Sequence, residues 1–302
     1  MQKVIEFLKE KKYLSFKENE PLRNHCYMRV GGNASLLFTP QNKTELTETL
    51  SFLIKEEIPY KVIGNGSNIL CSDNHYHGVV IKNKQALNEV IYEDDAIIVG
   101  SSVSMVKLSI DAAKQGLAGL EFMSGIPGTI GGGLYMNAGA YNKEMKDIVL
   151  WVKYLDPNGE IQTLSNEDCR YHYRSSIFKE ELQDCLILET KLKVEPGEPK
   201  EILALINKRR VRRQETQPLK YPSCGSVFKN PQGTHAYLFI DAVGLRGYRI
   251  GGAKFSDLHC NFIINDEMAS ASDVRELIEL AQNRVKTECG LELVREVEYF
   301  NW

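Results

Sequence analysis

Two glycine-rich segments are where bare backbone could do chemistry. Residues 64–68 read GNGSN, and residues 124–142 read SGIPGTIGGGLYMNAGAYN, six glycines in nineteen residues. A flexible linker would be rich in Ser, Gly and charge, whereas the longer segment interleaves its glycines with Ile126, Ile130, Leu134, Met136 and Ala138, which favour burial. Glycine inside a packed segment permits a positive φ or a close backbone approach, and adjacent N–H groups turned one way make an anion site. A phosphate-bearing ligand is therefore the expectation. Neither standard phosphate fingerprint supplies it: G-x-x-x-x-G-K-[ST] and G-x-G-x-x-G are both absent from the chain. The alternatives are structural, a tight buried turn for the longer segment and an Asx turn for the shorter one.

These loops need elements to position them. VIEFLKE near the start and TELTETLSFLIKEE (44–57) carry helical apolar spacing, the second with Leu46, Leu50, Leu53 and Ile54 on one face. YKVIG is a short buried-strand pattern running straight into GNGSN. VIYEDDAIIVG (90–100) predicts a hairpin, MVKLSIDAAKQG a helix closed by Gly116, LWVKYLDPNGEIQTL a second hairpin and CLILETKLKV a strand. PGEP at 196–199 breaks this β-rich region and starts the helix EILALINKRRVRRQ. Beyond it come HAYLFIDAVGL (helical), NFIIN (strand), a helix from Ser272 through Glu288 closed by Gly290, and a last strand LVREVEYF. Hairpins without a regular βαβ series argue an α+β fold. The expected division is 1–83, 84–205 and 206–302.

The chain has 302 residues, 43% hydrophobic and 25% charged, the make-up of an ordinary globular protein. A net charge of -3 gives no electrostatic footprint for nucleic acid. No apolar run approaches the ~20 residues that span a bilayer, and MQKVIEFLKEKKYLSF lacks a signal-peptide centre, so no membrane association and a cytoplasmic location are expected. Seven cysteines without a C-x-x-C pair indicate reduced thiols, with neither a disulfide framework nor a metal site.

Six motifs in register, GNGSN, SGIPGTIGGGLYMNAGAYN, YRSSIFK (173–179), CGSVFKNP (224–231), GLRGYRIGGAK (244–254) and REVEYF, resemble the bacterial UDP-N-acetylenolpyruvoylglucosamine reductases over nearly the whole chain. The short spacing between YRSSIF and CGSVF is similar to the shorter branch of that family, which lacks an inserted tyrosine loop. The resemblance implies a two-part FAD-binding region of the vanillyl-alcohol-oxidase type, holding the 1–83 and 84–205 subdomains, followed by a C-terminal α+β substrate-binding domain. It implies FAD contacts from Gly64, Asn65, Gly66, Ser67, Asn68, Ser124, Gly125, Pro127, Gly128, Thr129 and Gly131. Neither glycine segment holds a His or Cys in the usual position for attachment, so the flavin is expected to be non-covalent. A fragment ending near residue 206, if folded, should still bind it.

The implied reaction reduces UDP-N-acetylglucosamine enolpyruvate to UDP-N-acetylmuramate with NADPH, for peptidoglycan synthesis. Negative charge building on the α-carbon and its carboxylate asks for a cation, an acid and a proton donor. The resemblance assigns these roles to Arg174, Glu296 and Ser226, and implies substrate contacts from Lys229, Asn230 and His259. The cations Lys208, Arg209, Arg210, Arg212 and Arg213 suit a diphosphate or the 2'-phosphate of NADPH, or else form a solvated helix face. The chain departs from the family at Glu298, where a basic residue is common; strand alternation predicts Glu298 on the same face as Glu296. No obligatory protein partner is expected. The competing readings are an FAD oxidoreductase of the same fold with another substrate, and a non-catalytic UDP-sugar-binding paralogue.

Overall fold

The computed structural model describes residues 1–302. They form two compact units, one of Met1–Glu18, Leu36–Asn65 and Gly78–Val211, the other of Asn19–Ser35, Gly66–His77 and Arg212–Trp302. No helix is long and apolar enough to cross a membrane.

The first unit opens with helix α1 (Gln2–Glu10) and helix α2 (Lys43–Lys55). α2 begins where Asn42 Oδ1 accepts the Glu45 N–H at 3.0 Å, taking up an otherwise unpaired helix-start donor. Its Leu46, Leu50 and Leu53, with Val4, Ile5 and Leu8 of α1, cover Leu36, Phe38, Val79 and Ile81. Tyr60–Ile63 pairs in parallel with Val79 to Lys82, and this ladder delivers the chain into GNGSN.

A five-stranded antiparallel sheet forms the rest of this unit's frame, ordered Ile161–Ser165, Val149–Leu155, Leu186–Lys193, Ala96–Gly100, Val90–Tyr92. Both expected hairpins are in it. Helix α3 (Met105–Lys114), N-capped by Ser104, ends before Gly116 at φ +75 and packs Met105, Leu108 and Ala112 against Ile97, Val99 and Val152.

Helix α4 (Ile130–Met136) lies inside the longer glycine segment, which the sequence reading takes for an anion-binding loop or a tight buried turn. Three glycines each cost ~1 kcal/mol of helix propensity relative to alanine. Packing compensates: Ile130 and Leu134 are fully buried, and the bare backbone permits close approach. A Cβ on Gly133 would stand 2.7 Å from Met105 Sδ, and one on Gly131 3.0 Å from Ser101 Cβ. Helix α5 (Ile177–Glu180) buries Phe178, and helix α6 (Pro199–Thr216) starts on a proline, whose missing N–H has no helical partner at that position anyway.

The division between the units falls within α6, and segments 19–35 and 66–77 belong with the C-terminal residues rather than with the first 83. The cause is visible in the second unit. Ile69–Cys71 pairs in parallel with Glu298–Phe300, and Met28, Val30 and Leu70 sit in the same core as Val227, Phe228 and Phe255. Helix α7 (Ala236–Ala242) and helix α8 (Ala271–Cys289) contribute Ala236, Ile240, Val274, Leu277 and Ile278 to that core. Its antiparallel sheet runs Ser223–Ser226, Phe262–Asn265, Ala253–Phe255, Arg249–Ile250. A reciprocal Ser270–Asp273 capping box starts α8, and Gly290 at φ +68 ends it.

The expected last strand is shorter than LVREVEYF: its ladder holds only Glu298–Phe300, because the chain bends at Val297. Pleat alternation therefore does not run through residues 296 to 298, and the reason for placing Glu296 and Glu298 on one face is lost.

Candidate active site

In the first unit the two glycine segments meet. Asn65 Nδ2 donates to Pro127 O at 2.9 Å, and a Cβ on Gly64 would lie 2.5 Å from Thr129 Oγ1. Gly64, Asn65 and Gly128 lie outside helices and strand ladders, whereas Pro127 has no N–H and the Ile126 N–H is taken up by Met123 O at 2.9 Å. Adjacent backbone amides of this kind suit a pyrophosphate. Other expected contacts are engaged within the protein. Ser124 Oγ, in the 3-10 turn Glu121–Gly125, donates to Glu121 O at 2.7 Å. Gly131 N–H bonds Ser101 O at 2.9 Å, Gly128 O accepts from Met105 N–H, and Thr129 Oγ1 caps α4 through the Gly132 N–H.

The remainder of GNGSN belongs to the second unit. Gly66, at φ +69, presses on His25, whose carbonyl oxygen a Cβ would meet at 2.4 Å. Its own carbonyl accepts the Tyr27 N–H. Ser67 follows in the turn, and Asn68 faces the chain terminus: its Nδ2 donates to Glu296 O at 3.1 Å, and its carbonyl accepts the Glu298 N–H at 2.9 Å.

Arg174 sits in a tight turn of the first unit, bracketed by His172 and Ser175, with φ +58. A long side chain in this left-handed region is uncommon and marks a position held by its surroundings. Five of the eleven non-glycine residues with positive φ (Asn137, Tyr141, Asn142, Arg170, Arg174) fall between 137 and 174. That concentration singles out this region. The guanidinium donates from Nη2 to Gly139 O at 3.1 Å, lies 3.7 Å from Glu144 Oε1 through Nη1, and stacks 4.9 Å from the Tyr173 ring.

Ser226 and Glu296 come together in the second unit. The pairing of Ser223–Ser226 with Phe262–Asn265 slips between Ser223 and Ser226, and Gly225 takes φ +78 at the slip. Such a bulge re-aims the next side chain. Val227 O then accepts the Glu296 N–H at 2.8 Å, which sets the CGSVF and REVEYF motifs side by side. Both side chains are half-buried. Buried Asn261 locks the same loop, accepting the Phe228 N–H and donating to Phe228 O.

His259 lies beside this group. Its ring packs 4.9 Å from Phe262, the partner of Ser226 in the ladder, and its Nδ1 accepts the Asn261 N–H, which leaves the neutral ring's proton on Nε2. Burial, with Arg246 and His235 adding repulsion, holds its pKa below the ordinary histidine value. Lys229 is tied through its N–H to Val294 O, and Asn230 Oδ1 accepts the Ala236 N–H at the start of α7. Of the cations on α6, Lys208, Arg210 and Arg212 are exposed, while Arg209 stacks 4.5 Å from the Tyr141 ring with a buried Nη1 that has no hydrogen-bond partner.

All seven cysteines are free, with Cys26 and Cys71 sulfurs 3.1 Å apart, and no cluster of three His, Cys, Asp or Glu side chains could hold a metal. Sequence reasoning missed Asn137, Glu144 and Asn261. Only the asparagine closing the helix in YMNAGAY left a trace, as a residue type that tolerates the left-handed conformation.

Residues 34–165 match the family model of an FAD binding domain. With two glycine loops meeting beside a mixed α/β frame, this makes the chain an FAD-dependent oxidoreductase. Residues 217–300 match the C-terminal domain of UDP-N-acetylenolpyruvoylglucosamine reductase. Proteins of that name from Anoxybacillus flavithermus and Caldanaerobacter subterraneus are 40% and 42% identical, each over 99% of this chain and 98% and 97% of their own lengths. The crystal structure of the reductase from Thermus caldophilus superposes with a TM-score of 0.79 at 34% identity, covering 93% of this chain and 97% of that one. The chain belongs to the UDP-N-acetylenolpyruvoylglucosamine reductase family.

Proposed function

We infer that the chain reduces UDP-N-acetylglucosamine enolpyruvate to UDP-N-acetylmuramate with NADPH, in the cytoplasm and without an obligatory protein partner, as a step in peptidoglycan synthesis. The observation that carries the reading is the Glu296 N–H to Val227 O hydrogen bond, which joins the segments of an acid and a hydroxyl donor. FAD, when bound, would supply the hydride chemistry that links NADPH to the enolpyruvyl group. In the first unit Gly64, Asn65, Gly128 and Thr129 would hold its pyrophosphate through backbone amides. Attachment is non-covalent: the His25 ring is bound to Glu20 and the Cys26 thiol to Cys71, although both residues adjoin Gly66.

Arg174 meets the substrate carboxylate as charge develops, a task suited to a planar fork that stays protonated. Ser226 delivers a proton to the α-carbon, since a hydroxyl is acidic enough against a developing carbanion once its alkoxide is reprotonated. Glu296 assists by holding or sharing a proton beside the anionic substrate. Lys229, Asn230 and His259 contribute to the sugar-nucleotide pocket, and Arg209 Nη1 is a donor poised for an anionic group. The visible spectrum of the purified protein tests the whole: NADPH bleaches it, and under anaerobic conditions colour returns on adding the enolpyruvyl substrate. Return of colour without that substrate, or no bleaching, overturns the assignment.

A further inference from the structure

The turn that carries Arg174 is fastened by one buried amide. Asn137 is fully buried at the end of α4, itself left-handed at φ +44. Its Nδ2 donates to His172 O at 2.9 Å and to Glu144 Oε2 at 3.0 Å, and its Oδ1 accepts the Lys146 N–H at 3.0 Å. One side chain thus couples the backbone just before Arg174 to the carboxylate that faces the guanidinium. Glu144 is held a second time by Lys146 Nζ, 3.2 Å from Oε2, which leaves Oε1 as the oxygen nearest Arg174 at 3.7 Å. That separation is an ion pair rather than a hydrogen bond. It biases the orientation of the guanidinium without closing its fork.

We propose that Glu144, fixed by Asn137, is a positioning residue for Arg174, setting the plane in which the guanidinium meets the substrate carboxylate. The proposal rests on the reading of Arg174 as the carboxylate's partner. Asn137 supplies geometry and Glu144 supplies charge. Glu144→Gln keeps an oxygen for Asn137 and removes the charge, whereas a misplacement of about 1 Å at a reacting group costs about 100-fold in rate.

The test is stopped-flow kinetics of the two half-reactions, on holoenzyme under nitrogen, with Glu144→Gln, Arg174→Lys, the double variant, and Glu181→Gln as a control taken from the exposed Arg170–Glu181 pair. Glu144→Gln keeps flavin content, melting temperature and bleaching by NADPH within about twofold of the parent, and slows reoxidation by substrate about 10- to 100-fold. Combining it with Arg174→Lys slows reoxidation no further than Arg174→Lys alone, because the two act as one unit. Normal reoxidation in Glu144→Gln with slow reoxidation in Arg174→Lys overturns the positioning role and leaves the arginine assignment intact. Normal reoxidation in Arg174→Lys overturns that assignment itself. Equal loss in both half-reactions, together with a lowered melting temperature, reduces Glu144 to a structural part. Should Glu144→Gln fold poorly, Glu144→Asp, which withdraws the charge by one methylene, is read against the same outcomes.

Discussion

Ser226 owes its direction to the glycine before it. Gly225 is left-handed, a Cβ there would meet nothing within 4 Å, and the bulge it forms turns the serine out of the ladder's regular alternation. In Ser226→Ala the bulge persists while the donor is lost. Bleaching by NADPH should therefore stay near normal and reoxidation by substrate fall ~10²- to 10⁴-fold; equal slowing of both steps would show that the hydroxyl serves the loop instead. His259 makes a second prediction, on stability. Its folded pKa lies below the unfolded value of ~6.5, chiefly through burial, so between the two values the unfolded chain binds more protons. Stability is then unaffected above ~6.5 and is lost as pH falls through the lower folded value. Melting temperature should decline more steeply between about pH 7 and 5 in the parent than in His259→Gln, and parallel slopes would refute the assignment. The motifs CGSVF and REVEYF single out Ser226 and Glu296 in the sequence, whereas nothing there marks the contacts of Asn137 with Glu144 and His172, because they span 7 and 35 residues.

Helix α4 separates glycines that packing demands from one that it does not. Gly131 abuts Ser101, and Gly133 abuts Met105, but a Cβ on Gly132 would find only Thr129 Oγ1 at 3.6 Å, an ordinary contact. Gly132 is exposed and helical, so Gly132→Ala should stabilise the apoprotein by roughly 0.5 to 1 kcal/mol, raising its melting temperature by about 1 to 4 °C. Gly131→Ala should give no such gain, its Cβ being 3.0 Å from a side chain and 3.3 Å from a backbone oxygen of Ser101. Calorimetry of the apoprotein decides the matter; a falling midpoint for Gly132→Ala would mean that the helix is strained for another reason. The other elements were legible where apolar periodicity was long, as in α2, α3 and α8. α4 was not, because three adjacent glycines argue against a helix and only the burial of Ile130 and Leu134 reverses that preference.

At the scale of the molecule, two N-terminal segments complete the C-terminal core. Ending the chain after residue 206 would leave Met28, Val30 and Leu70 without Val227, Phe228 and Phe255, strip Ile69–Cys71 of its strand partner, and deprive Asn68 of the Glu296 carbonyl. The expectation that such a fragment keeps its flavin gives way to the opposite one. It should be aggregated or partly unfolded by circular dichroism and retain no FAD on gel filtration. A monomeric, yellow fragment would show that residues 19–35 and 66–77 fold without the C-terminal core.

The α+β class, the two sheet hairpins, the long amphipathic helices and the motifs that mark the reductase family were determined by the amino-acid sequence alone, since each depends on local pattern or on contiguous residues. The assignment of residues 19–35 and 66–77 to the C-terminal unit was decided only by the tertiary structure. So were the helix within the glycine segment, the bend that parts Glu296 from the final ladder and the amide that ties Glu144 to the turn of Arg174. In each case the deciding energy comes from burial or a hydrogen bond between residues distant in the chain, where neither periodicity nor spacing reports on the partner.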